Sequence, residues 1–266
     1  MILGLLCLPG VARAQMGGHK AHIVESFPTG RVNWTTGMAL STARAEVVER
    51  DGGMPSRRAA AFARAMHTAR QRLVATLMQV PLDTEQTVGG VLRDSIDKRG
   101  MLEELVAEAE VVQTRYLPRD IVETTLQVPM FGRFASLVWP PPSALSASER
   151  EASGAVYTGI IIDARGLAIR PVLFPRIVDE EGQTLYAPTQ VDVDVAIQRG
   201  YMVYARVLNG SEVTSRVGKH PLIIRARRVV GHARVDVLIR QADATQLQRF
   251  AALRHLLEQC QVVIVG

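Results

Sequence analysis

The sequence predicts an α+β protein of two small sheet-plus-helix domains joined by a proline-rich linker. Residues 55–79 carry an apolar stripe at helical spacing, and several short segments alternate apolar and polar residues with the period of two of a half-buried strand. Trp139-Pro140-Pro141-Pro142, followed by Ser143, Ala144, Ser146, Ala147 and Ser148, interrupts both patterns. Consecutive prolines fix φ and remove backbone donors, and small polar residues favour neither helix nor sheet. This places a linker at 139–153, a first domain at 31–138 and a second at 154–266. With 266 residues, 47% hydrophobic and 21% charged, the chain can bury two modest cores.

The N-terminus reads as an export signal over residues 1–14. Ile2, Leu3, Leu5, Leu6, Cys7 and Leu8 form a short apolar run that Pro9-Gly10 breaks, and Ala12-Arg13-Ala14 supplies the small-x-small pattern of a cleavage site, although no Lys or Arg precedes the run. The run falls far short of the roughly 18–20 apolar residues of a membrane span, so no transmembrane span is expected. Cleavage leaves Gln15 first, with residues 15–30 expected as a flexible segment and the protein expected in the periplasm or at the outer membrane. Cys7 departs with the signal. Cys260 then stands alone in an apolar segment, where it reads as a small buried hydrophobe, and the fold must be held by its core.

In the first domain, Val32, Trp34 and Thr36 alternate with Arg31, Asn33 and Thr35, which predicts a strand ending at Gly37 and followed by helix. Pro55 suits a first helical turn, and Phe62, Met66, Ala69, Leu73 and Leu77 set the stripe of a helix to Gln79. A second helical region spans 85–106, with Val88, Val91, Leu92 and Ile96 on one face and Gly100 as a break. Strands at 109–117 and 121–129, joined by Pro118-Arg119-Asp120, read as a hairpin, and 131–138 as a closing helix. The expected order is β-α-α-β-β-α, with helices on one face of a small sheet.

In the second domain, Gly159-Ile160-Ile161-Ile162 is an apolar strand that stops at Asp163-Ala164-Arg165-Gly166. Residues 172–178 turn at Asp179-Glu180-Glu181-Gly182 and return through Leu185 and Tyr186 as a hairpin. Strands are expected at 201–207, 222–230 and 234–239 and a buried strand at 262–265; Asp243 with Gln246 reads as a capping box opening a helix to Glu258.

No nucleophile elbow, phosphate-binding loop or zinc-spaced cysteine pair is present, and no cofactor or metal is expected. His19 and His22 could share a metal only on a helix, which Met16-Gly17-Gly18 opposes; His67, His220 and His232 read as boundary or loop residues. Asp192 and Asp194, extended, would share a face and could join Asp179, Glu180 and Glu181 around a hard cation, against a reading as solvated turn acids. Asp163 and Arg165 form a candidate turn site at the end of a central strand, against a reading as an internal ion pair.

The basic segment is the main physical anomaly. Residues 15–150 carry 16 basic and 15 acidic side chains, whereas 151–266 carry 14 and 11, which concentrates the excess charge in the second half. Between Val213 and Arg240, Arg216, Lys219, Arg225, Arg227, Arg228, Arg234 and Arg240 face the single acid Asp236. Arg225 and Arg227 are expected on one strand face. Arg225, Arg227, Arg228 and Arg234 are the candidate contact surface. The segment lacks stacking aromatics and export removes nucleic acid as a partner, so lipid headgroups, an anionic glycan or an acidic protein neighbour fit better, against a merely solvated face.

The strand with Trp34 and Gly37, the helix from Pro55 to Gln79 ending near Val80-Pro81-Leu82-Asp83, and the Val112 to Val128 hairpin resemble the bacterial envelope lipoprotein family that includes flagellar basal-disk and H-ring assembly proteins. Tyr157 to Gly166 and Pro175 to Gly182 resemble a segment that accompanies such modules in uncharacterised envelope proteins. The resemblance implies small secreted β/α modules that assemble at or beneath the outer membrane, and it implies no catalytic residue. Leu6-Cys7 departs from the family's lipid-anchor pattern, so anchoring is not carried over. The resulting expectation is a non-enzymatic structural or assembly component of the bacterial cell envelope, flagellum-associated by that resemblance, that associates with itself or with other envelope proteins. The alternative is a periplasmic binding module for an anionic ligand or glycan. An envelope hydrolase built around Asp163 ranks last.

Overall fold

The computed structural model describes residues 22–49, 53–140, 157–231 and 233–266. The signal at 1–14, most of the linker (141–153), His19 and His232 lie outside the described residues. The fold is an α+β mix in two units, each with its own sheets and helices.

The first unit is a five-stranded antiparallel sheet in the order β1-β2-β3-β5-β4, from β1 (Val24–Phe27), β2 (Gly30–Asn33), β3 (Met38–Glu46), β4 (Glu110–Leu117) and β5 (Ile121–Pro129). Three helices, α1 (Met54–Met78), α2 (Val88–Leu92) and α3 (Ile96–Ala107), separate β3 from β4, and α4 (Arg133–Val138) closes the unit. Two strands depart from expectation. β1 lies inside the segment read as flexible; it pairs with β2, and Glu25 accepts a hydrogen bond from Trp34 Nε1 at 3.0 Å. β3 lies between Gly37 and α1, where no element was expected. Its inward residues Ala39, Ser41 and Ala43 are too small to give a clear alternation, but they let α1 approach closely.

That close approach shapes α1. Its buried face is Ala61, Ala65, Ala69, Leu73, Thr76 and Leu77, with Phe62 and Met66 at the flank rather than the centre. Ser41 Oγ donates to the Ala69 carbonyl at 2.6 Å, and a Cβ on Gly30 would stand 2.3 Å from the Leu40 carbonyl oxygen and 2.6 Å from Thr76 Oγ1. Leu73 and Leu77 are wholly buried, worth about 1.5–3 kcal/mol each relative to exposure. The second helical region breaks at Ser95, whose Oγ caps α3 by accepting from Lys98 N–H at 3.3 Å, and not at Gly100, which sits inside α3. Ile96 therefore opens a new helix and points to solvent.

The second unit has two sheets. The first is wholly parallel, in the order β10-β6-β13-β9, from β6 (Gly159–Asp163), β9 (Val203–Ala205), β10 (Pro221–Arg225) and β13 (Val262–Val265). The second, in the order β11-β12-β7-β8, is built from β7 (Ile177–Val178), β8 (Thr184–Tyr186), β11 (Arg228–Val230) and β12 (Asp236–Leu238). The helices are α5 (Val193–Arg199), α6 (Ser211–Val217), α7 (Gln241–Arg249) and α8 (Ala251–Glu258). Buried on both faces, β6 and β13 read as continuous apolar runs.

Three expectations for this unit change. The strand expected at 172–178 shortens to Ile177–Val178 because Leu173 and Phe174 donate their N–H groups to Pro81 and Leu82 of the first unit, at 3.0 and 2.7 Å. The strand expected at 222–230 splits where the chain crosses between sheets: Ala226 N–H bonds to Asp163 at 2.9 Å and Arg227 N–H to Leu238 at 2.8 Å. The expected capping box is absent. Arg240 stands at the N-cap, Gln241 N–H donates to Glu180 Oε2 at 3.2 Å, and extended Phe250 divides the helix in two.

One apolar core runs through both units. Trp139 packs edge-on to Phe174 at 5.1 Å and to Tyr201 at 6.2 Å, and Trp34 edge-on to Tyr204 at 5.9 Å. No described helix is long and apolar enough to cross a membrane.

Candidate functional site

Ligands of open parallel sheets bind outside the carboxyl ends of the strands, which directs attention to the end of β6. Asp163 lies there in register with Arg225 of β10 and Val265 of β13. Arg165 forks onto its carboxylate, Nε to Oδ1 at 2.8 Å and Nη2 to Oδ2 at 2.7 Å, while Arg165 N–H also donates to Oδ1. The hydrogen bond from Arg165 holds the Asp163 carboxyl below its ordinary range, with a smaller contribution from the Arg225 charge. The structure thus joins Asp163 and Arg165 as an ion pair closing the turn.

The four candidate arginines do not form one cluster. Arg225 and Arg227 are exposed on either side of buried Ala226, as alternation requires, but Arg225 ends one sheet and Arg228 opens the other. Arg227 lies 3.4 Å from Glu180, and Arg234 spends a guanidinium nitrogen on the Leu167 carbonyl at 3.2 Å. Arg225 and Arg228 remain exposed without an ion pair among the described residues.

The acidic candidates also disperse. Asp179 Oδ1 accepts from Glu181 and Gln183 N–H at 3.0 and 2.7 Å, Glu180 caps α7, and Asp192 caps α5 through Val195 N–H at 3.1 Å. Asp192 and Asp194 belong to a helix start, not an extended segment, because the Asp192 side chain satisfies an otherwise orphaned donor. Among the described residues no group of three or more His, Cys, Asp or Glu could hold a metal ion. His22 Nε2 lies 3.3 Å from Glu212 and its Nδ1 3.1 Å from Asn33, while His67 is exposed. Cys260 is fully buried, and burial pushes its thiol up.

Three features were not anticipated. The outer strand β4 is exposed along nearly its whole length, with Val111, Val112 and Tyr116 among the exposed apolar residues. It bonds to β5 on one side only, through a bulge between Val111 and Gln113. Across the sheet, Glu123 is buried between Arg44 and Arg115. The third is an open cleft of about 90 Å³ between the units, with walls that include Trp34, Phe131, Trp139, Phe174 and Tyr201 and with Arg199 at its edge.

Behind the cleft lies Arg216, buried to 7% exposure. Its guanidinium donates to the carbonyls of Arg199 at 2.6 Å and Gly200, at the end of α5, and to that of Tyr201 at 3.2 Å, which also accepts from Tyr186 Oη at 2.7 Å. Desolvation lowers its pKa, and no carboxylate pairs with it among the described residues. The available signal was the pair of tryptophans, the two in the whole chain, flanking a Gly turn and the linker.

Residues 159–266 match the family described as Treponema pallidum Tp0624, second domain. The match starts at the first residue of β6 and takes in both sheets of the second unit. No curated protein matches the chain.

Proposed function

We propose that this protein is a non-enzymatic assembly component of the bacterial cell envelope, exported to the periplasm or outer membrane, and that copies of it associate through β4. The observation that carries this reading is the edge strand itself: eight residues with one unpaired side and exposed apolar side chains, free of proline until Pro118. The bulge puts Glu110, Gln113 and Arg115 opposite Gln127, Thr125 and Glu123 on one face, and Val111, Thr114 and Tyr116 opposite Leu126, Thr124 and Val122 on the other. Antiparallel pairing of two copies then sets Glu110 beside the other copy's Arg115, and Val111 beside its Thr114, with faces matched. Arg115 uses two of its nitrogens on Glu123 and keeps donors for that contact.

Sedimentation velocity over a wide concentration range tests this. The wild-type chain should form dimers or larger species, whereas Val112→Lys, which brings two like charges to the centre of the pairing, should stay monomeric and melt at the temperature of the dilute, dissociated wild type. A monomeric wild type at every concentration would overturn the proposal.

A second reading, a binding module for an anionic ligand or glycan, draws on exposed Arg225 and Arg228. Retention on envelope material should then fall in Arg225→Gln/Arg228→Gln and with added salt, since exposed charges beyond about 8 Å are screened at physiological ionic strength.

A further inference from the structure

We infer that the cleft between the two units is a binding site for a small organic anion with a flat apolar body, of the aryl carboxylate class. The inference does not depend on pairing through β4. Trp34, Phe174 and Tyr201 form buried walls, and Phe131, Trp139 and Met202 offer partly exposed apolar surface. Aromatic rings at edge-to-face angles, as Trp139 makes with Phe174 and Tyr201, leave ring faces and edges to meet a further ring. The volume of about 90 Å³ is below the roughly 150 Å³ that encloses benzene, and the cleft is open, so a ring enters in part and its polar head stays at the mouth.

Charge selects the head. Arg199 is exposed at the cleft and has no ion-pair partner among the described residues; Arg216 lies behind the Arg199, Gly200 and Tyr201 carbonyls, also without a carboxylate. Of these only Arg199 lines the cleft; its charge favours an anion and opposes a cation, and its guanidinium can fork onto a carboxylate. Aromatic walls alone would equally suit a cationic ligand, and it is Arg199 that decides the sign.

Both tryptophans of the chain line the cleft, so intrinsic fluorescence reports directly on occupancy. The probes are phenylacetate, 2-phenylethanol, phenethylamine and acetate, titrated into the full chain. Phenylacetate should give a saturable change, 2-phenylethanol a weaker one, and phenethylamine and acetate none. Arg199→Gln should weaken phenylacetate about tenfold, the scale of one hydrogen bond to a charged group, while leaving 2-phenylethanol unchanged. Thr36→Phe, at an exposed lining position, should block both with no change in melting temperature. Equal binding of the three ring compounds, acetate binding as tightly as phenylacetate, no saturable response, or insensitivity to both variants would each overturn the inference.

Discussion

Replacing Glu123 with Gln should destabilise the first unit by about 2 kcal/mol at neutral pH, and the deficit should shrink in acid. Glu123 is 3% exposed and accepts from Arg44 Nε at 2.6 Å and Arg115 Nε at 2.9 Å, so one carboxylate ties β3, β5 and β4 together. A hydrogen bond to a charged group contributes about 1.5–3 kcal/mol. The arginines are 65% and 55% exposed, which draws each contribution to the low end, and Gln still accepts from one of them. The remaining loss is about 2 kcal/mol, or about 4–8 °C in melting temperature for a chain of this size. The Arg44 hydrogen bond leads in lowering the Glu123 pKa below 4.5. Its stabilisation is therefore complete above the unfolded value and is lost as pH falls through the lowered folded value. Urea unfolding of both proteins at neutral and acidic pH measures this. A deficit below about 0.5 kcal/mol at neutral pH, the range of an ordinary surface substitution, or an equal deficit at both pH values, would refute the reasoning.

Arg216→Met should cost about 3 kcal/mol, because the Arg199 and Gly200 carbonyls lose their donor while that of Tyr201 keeps Tyr186 Oη; chemical denaturation reads it, and a neutral result would show that water or another donor replaces the guanidinium. Gly159→Ala should cost about 2–3 kcal/mol or more, since the new Cβ would lie 2.4 Å from Val217 Cβ and 2.5 Å from its Cα, and thermal melting detects the loss. Proteolytic cleavage between Trp139 and Ser153 should leave the two halves eluting together until denaturant is added, because one apolar core spans both units; separate elution in buffer would contradict that.

The parts of the fold that were legible in sequence are those whose side chains alternate strongly or recur at helical spacing. The β4–β5 hairpin, the α1 helix, the apolar runs of β6 and β13 and the short α4 all follow from local pattern. β3 was hidden because Ala39, Ser41 and Ala43 are small for a reason visible only in three dimensions, the closeness of α1. The strand expected at 172–178 shortens because Leu173 and Phe174 bond to Pro81 and Leu82, 92 residues earlier in the chain, which no local pattern encodes. Asp163 and Arg165 form the ion pair of the alternative reading, for which two residues and a turn suffice. Sequence distance groups the arginines between Val213 and Arg240, yet the chain crosses between sheets at Ala226 and divides them, and Arg216 turns inward to serve the end of α5.

Amide hydrogen exchange along β4, followed at low and high protein concentration, shows whether copies pair through this strand. The outward N–H groups between Glu110 and Leu117 should exchange freely when dilute and become protected as copies associate, while Val112→Lys stays unprotected at both concentrations. Association of the wild type with β4 still exchanging freely would contradict it.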